Sequence, residues 1–172
     1  VAAHQEILKL GLLHPPGTLT LEHIEEAVVD VARFNVFKLS EAVLSGQIER
    51  TLRMIDGLQA EGEAAVLVHW ALAEDILALY RARNAVDACK PLPMALRELR
   101  VWGPRERLFE RILPQTRTAA LARLVAHAST VDGIVKGLRH PQWPEDGWEA
   151  LRRLALELAQ TVQGVTPSAP RR

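Results

Sequence analysis

The chain is poor in the residues that carry most recognisable chemistry. It holds a single cysteine, Cys89, in 172 residues. One thiol rules out an internal disulfide framework and suits a reducing, cytoplasmic compartment. Aromatic residues make up only 5% of the sequence, so each is worth placing. Neither sign of charge is in excess: Lys+Arg and Asp+Glu both total 21, and that balance points to no acidic or basic partner. No apolar run approaches the roughly 18–20 residues of a membrane span, and no secretory leader pattern is visible.

The chemistry of sites is equally thin. His4, His14, His23, His69, His127 and His140 lack the i, i+4 pairing or Cys-x-x-Cys spacing of a zinc site. His23-Ile-Glu25 matches half of a deaminase signature, and the P-C-x-x-C half is missing. Gly133-Ile-Val-Lys136-Gly137 has glycine and lysine without the G-x-x-x-x-G-K-[ST] order of a phosphate cradle. It reads instead as a helix end, with Lys136 at the negative pole and Gly137 as the cap. Glu74 and Asp75 are adjacent, so on a helix they point ~100° apart and share no acid/base site. No G-x-S-x-G motif occurs. The expectation is a non-catalytic chain with no metal and no cofactor.

What is present is helix. Hydrophobic residues are 48% and charged residues 24%, enough for a core of one large or two small domains. No sustained period-2 alternation argues for strands. A first helix ends before Pro15-Pro16-Gly17, and Thr20 is placed to cap a second through Leu21, Ile24 and Val28. Asn35 is placed to cap a third, through Val36, Leu39, Val43 and Leu44 to Gly46. The next uses Ile48, Leu52, Ile55 and Leu58, closed by Gly62. Gly57 inside it suggests a close packing partner. From Glu63 to about Arg83 the pattern is apolar on more than one side, the mark of a buried central helix. Residues 84 to 93 read as the best internal loop. A short helix from Met94, one around Phe109, a long one from Thr116 to Leu138 and a last one from Trp148 to Val162 complete the pattern.

Two sets of surface residues follow. Leu99-Arg100-Val101-Trp102-Gly-Pro-Arg105-Glu-Arg107 places an aromatic among three arginines at a helix break. Arginine forks match phosphate, and tryptophan stacks on unpaired bases, so Arg100, Trp102, Arg105 and Arg107 are candidate DNA contacts; the alternative reading is that Trp102 fills the core and the arginines face solvent or acidic partners. The Phe109–Leu113 and Leu151–Leu158 stripes supply candidate subunit-interface residues: Phe109, Leu113, Leu151 and Leu158. Trp70 and Trp148 lie in apolar contexts and read as packing residues. Trp143, between Pro141 and Pro144, reads as a surface wedge or a staple over the bundle.

The order of parts from residue 34 to 80 resembles a known family. Phe34-Asn-Val-Phe37-Lys-Leu-Ser-Glu-Ala is followed by Ser45-Gly-Gln, then Arg50-Thr-Leu-Arg-Met-Ile-Asp-Gly-Leu-Gln-Ala-Glu-Gly62, then Trp70-Ala-Leu-Ala-Glu-Asp-Ile76. Arg100-Val-Trp102, Asp132-Gly-Ile-Val-Lys-Gly137 and Trp148-Glu-Ala-Leu151 continue it. This series resembles the delta subunits of the bacterial DNA polymerase III clamp loader. The resemblance implies an all-α helical bundle, the collar, over residues 34–163. Residues 1–33 would be the end of an AAA+-like lid, and 164–172 a disordered tail. It implies a non-catalytic subunit fragment that assembles with the motor and delta prime subunits in a five-membered ring, so that a sliding clamp is opened and loaded on primed DNA. Clamp contact would belong to a region upstream of Val1, and primer–template DNA is a possible partner. The alternative is a free-standing helical DNA-binding regulator using the arginine-rich residues 97–123. Thr116–Leu138 is too apolar for a recognition helix, which counts against that alternative.

Overall fold

A single long helix organises the molecule. The computed structural model describes Gly11 and residues 36–163. The expected lid segment, the Thr20 and Asn35 caps and the 164–172 tail lie outside the described residues. In chain order come α1 (36–44), α2 (Ile48–Ala60), α3 (Ala65–Asp87), α4 (Leu92–Glu98) and α5 (Pro104–Ile112). A 3-10 turn, Leu113–Gln115, leads to α6 (Thr118–Val135), and α7 (Gly147–Gln163) closes the series. The fold is all-helical, with no strand among the described residues.

The 23-residue α3 is the central element that its all-round apolarity predicts. It packs most extensively on α6 and also touches α4 and α7; α7 in turn packs on α6 and α2. Leu72, Ile76 and Leu79 of α3, Leu121 and Leu124 of α6, and Leu151, Leu154 and Leu158 of α7 are buried in this core. At about 25 cal/mol per Å² of apolar surface removed from water, such side chains are the main stabilising term.

Helix ends follow the glycines. Gly46, Gly62 and Gly137 all take positive φ, at 69°, 79° and 92°. At the end of α6 the Leu138 N–H donates to the Gly133 carbonyl at 2.9 Å, and the Gly137 N–H to Ile134 at 2.9 Å. This paired pattern satisfies the last carbonyls of a helix and makes Gly133–Gly137 a terminus, as read. Gly46 has a further role. A Cβ there would stand 3.1 Å from the Gln163 Cβ, so the α1–α2 break lies directly against the end of α7.

Three expectations about the frame change. Residues 84 to 87 are not loop, because α3 runs on to Asp87. The Asn84 amide donates to the Tyr80 carbonyl at 3.0 Å, and Arg83 holds Asp87 four residues on at 2.6 Å. Asn84, of a type that usually favours turns, here sits inside the helix with its side chain bonded to the i−4 carbonyl. Gly57 has no close partner: nothing lies within 4 Å of where its Cβ would be. Finally, Phe109, Leu113, Leu151 and Leu158 are all at most 1% exposed. Their stripes face the chain's own core, so these four side chains are not available to a partner.

Tryptophans divide by environment. Trp143 is buried, staples the loop after α6, and lies under the Arg153 guanidinium at 4.0 Å and edge-on to His127. Trp148 is partly buried against the core. Trp70 and Trp102 are the exceptions: they are 52% and 57% exposed.

Candidate interaction cleft

Those two exposed tryptophans line one cleft. Its walls come from three elements far apart in sequence. Phe37, Ser40, Glu41 and Leu44 project from α1; Trp70, Ala71, Glu74 and Asp75 from α3; and Trp102, Pro104, Arg105 and Leu108 from the start of α5 and the break before it. On each helix these positions recur at three or four residues, the spacing that puts side chains on one face. The cleft has a volume of about 290 Å³, near the lower end of small-ligand pockets.

The backbone at the α4–α5 break sets the position of Trp102. Arg100 adopts φ 54°, an uncommon conformation for a residue with a Cβ. It ends α4, with the Arg100 N–H donating to Arg97 at 3.1 Å and the Val101 N–H to Leu96 at 3.0 Å. Val101 is thereby sunk into the core while Trp102 stays outside. Gly103, at φ 63°, and Pro104 in the first turn then start α5 in a new direction.

A buried ion pair forms the floor. Asp75 is only 3% exposed. Its Oδ1 accepts from Arg105 Nε at 2.8 Å, and Arg105 Nη2 lies 2.6 Å from the same oxygen. The second oxygen, Oδ2, is buried with no hydrogen-bond partner at bonding distance among the described residues. Burial raises the Asp75 carboxyl above its ordinary 3.8, and the Arg105 guanidinium and Ser40 hydroxyl oppose that rise. The Arg105 guanidinium also lies 5.2 Å from the centre of the buried Phe109 ring. Glu41 and Glu74 stand exposed at the rim. Neither side chain makes an ion pair or hydrogen bond among the described residues. The cleft therefore lines up three carboxylates against one guanidinium.

The sequence-derived DNA set is split by this geometry. Trp102 and Arg105 meet in the cleft, but Arg105 is held by Asp75 and is not a free cation. Arg100 and Arg107 are exposed and lie outside the lining. Sequence reasoning missed Phe37, Trp70 and the Asp75 floor. Spacing within one helix cannot show which faces three distant helices turn toward each other. The available signal was an apolar α3 with two aromatic-bearing faces. Among the described residues, no group of His, Cys, Asp and Glu is placed to hold a metal ion, and no helix is long and apolar enough to cross a membrane.

No family model matches the chain. It is 28% identical over 158 residues to the DNA polymerase III subunit delta of Escherichia coli, a match covering 92% of this chain and 45% of that protein. To the same subunit of Haemophilus influenzae it is 22% identical over 166 residues, covering 92% and 47%. Among solved structures it is similar to the DNA clamp loader delta protein of Bacillus subtilis, with a TM-score of 0.57 and 16% identity over 91% of this chain and 45% of that one. At that identity the structural likeness concerns the fold alone. The resemblance to delta subunits is borne out, and the chain spans about half the length of the relatives it matches.

Proposed function

From this kinship we propose that the chain works in DNA replication as a non-catalytic part of a clamp-loader delta subunit. Residues 34–163 are its collar domain, with 1–33 the end of an AAA+-like lid. The collar holds delta in register beside the motor and delta prime subunits, and the sliding clamp is gripped elsewhere in the subunit. One observation carries the reading: similarity to delta over 92% of the chain; the open aromatic cleft on the bundle supports it. Apolar surface left open beside a complete core is the usual mark of an interface.

The finer DNA reading narrows. Arg100 and Arg107 are exposed and make no ion pair among the described residues, which supports a contact to the primer–template backbone. Arg105 is engaged with Asp75, and Trp102 faces a cleft that includes carboxylates. Backbone contacts of this kind give a salt-dependent term, so Arg107→Ala in the assembled loader should reduce the salt slope of primer–template binding.

Co-elution on size exclusion tests the assembly. The chain should run with a mixture of motor and delta prime subunits and separately from the clamp. Failure to associate with either subunit, or tight binding to the clamp alone, would overturn the reading.

A further inference from the structure

We propose that the cleft between α1, α3 and α5 receives a protein segment carrying lysine or arginine beside apolar side chains, contributed by a partner subunit. The proposal rests on the reading of this chain as an assembly domain and adds the chemistry of what docks on it.

Three observations point to this occupant. Phe37, Trp70 and Trp102 are each more than half exposed and together line one concavity. Aromatic faces attract both aliphatic side chains and cations. The charge is one-sided among the described lining residues: Glu41, Glu74 and Asp75 stand with one cation, Arg105, which already binds Asp75. Asp75 Oδ2 has no hydrogen-bond partner at bonding distance among the described residues, with the Ser40 hydroxyl nearby, so Arg105 leaves this carboxylate incompletely satisfied. An anionic strand is disfavoured by the same carboxylates, which is why a nucleic acid is the less suitable occupant. Among the described residues, a second copy of this chain could offer the exposed Leu138 between Lys136 and Arg139, and the concentration dependence of the shifts separates that case.

A helix laid in a groove is read through anchors at i, i+3, i+4 and i+7. The probe is therefore a synthetic helical peptide with leucines at those positions and arginines between them. Two controls accompany it: the same peptide with glutamates for arginines, and a single-stranded oligothymidylate. Nitrogen-15 spectra of the whole chain resolve the indole N–H groups of its four tryptophans. The basic peptide should shift the Trp70 and Trp102 signals saturably and leave buried Trp143 in place. Glu41→Lys combined with Glu74→Lys should weaken that binding roughly tenfold or more, two rim charge reversals acting together. Trp70→Ala should abolish the shift at Trp102. An intact Trp143 signal certifies that each variant is folded.

Equal binding of the acidic peptide would overturn the charge argument. Shifts of Trp70 and Trp102 by oligothymidylate, with none from the basic peptide, would make the cleft a nucleic-acid site instead. Shifts that track the chain's own concentration would make it a self-association face. Reconstitution with motor and delta prime subunits separates the two levels. If the Glu41→Lys, Glu74→Lys chain still assembles normally, the cleft proposal fails and the assembly reading stands. If the unmodified chain does not assemble, the assembly reading fails, and the peptide titration still decides the cleft.

Discussion

Two faces of α3 carry similar side chains to different ends. One face, with Val68, Leu72, Ile76 and Leu79, is buried, and α6 is the helix that packs most extensively on α3. On that side His69 Nε2 donates to the Ala128 carbonyl at 2.9 Å, and Arg83 donates through Nη1 to the Leu113 carbonyl at 3.0 Å while its buried Nε has no partner among the described residues. The other face, with Trp70, Ala71, Glu74 and Asp75, lines the cleft. There Asp75 bonds Arg105 through one oxygen, and the other has no partner at bonding distance among the described residues. All-round apolarity thus predicts a central helix correctly, yet it does not say that the chain itself supplies every neighbour. A closed face is optimised for packing, whereas an open one retains exposed aromatics.

Deletion on the closed face should break the fold first. Leu72→Ala or Ile76→Ala empties a fully buried site and should cost about 2–5 kcal/mol in urea titration. A cost under about 1 kcal/mol at both positions would mean that this face is loosely packed, and the contrast with the cleft would disappear.

The next effect concerns the frame that holds α1 against the cleft. Gly46→Ala meets two penalties, a φ of 69° and a Cβ 3.1 Å from the Gln163 Cβ. Gly62→Ala meets only one, because φ is 79° with nothing within 4 Å. The left-handed conformation alone costs about 1–2 kcal/mol. Gly46→Ala should exceed Gly62→Ala by thermal or urea unfolding, and equal losses would remove the α7 contact as a constraint on α1.

The carboxylates of α3 sharpen the comparison through pH. Burial places the folded Asp75 carboxyl above its unfolded value of 3.8. Between that value and the raised one, the folded state binds more protons, so this group's contribution to stability falls as pH rises. Asp75→Asn removes the trend, and the variant should gain stability relative to the parent as pH climbs through that window. Asp87 at the other end of α3 has the opposite sign. The Thr118 hydroxyl first, and Arg83 second, lower its carboxyl; its contribution is present above 3.8 and is lost as pH falls through the lowered value. Asp87→Asn should therefore lose stability relative to the parent as pH rises from acid. Parallel pH trends for the two variants would contradict this account of the floor.

Much of the frame was legible because helices announce themselves locally. Gly46, Gly62 and Gly137 marked helix ends, and the 3.6-residue period found α2, α6 and α7. What stayed hidden depends on which face meets which neighbour. Phe109 and Leu158 form apolar stripes suited equally to an interface and to a core, and only the packing shows that they are core. Trp70 sits among apolar neighbours in sequence, yet α1 and α5 stand apart over it and leave it open. The Asp75–Arg105 pair spans 30 residues, a distance at which no sequence spacing links a carboxylate to its guanidinium. Arg105 therefore looked like a free cation.

The smallest expected effect is the most discriminating. Trp102 is 57% exposed and follows a buried Val101, so its indole contributes little to the core. Trp102→Ala should change folding free energy by no more than about 0.5 kcal/mol, as surface substitutions do. A buried tryptophan at the same break would lose about 3–5 kcal/mol on the same change, which makes the two cases easy to tell apart by urea titration. The same variant should weaken association with partner subunits or with the basic peptide, because wall area is lost while the floor remains. A variant that melts far earlier would mean that α1, α3 and α5 close over Trp102 in solution. A variant with parental stability and parental association would leave Trp102 without a role in the cleft, and would shift the binding contribution to Phe37 and Trp70 on α1 and α3.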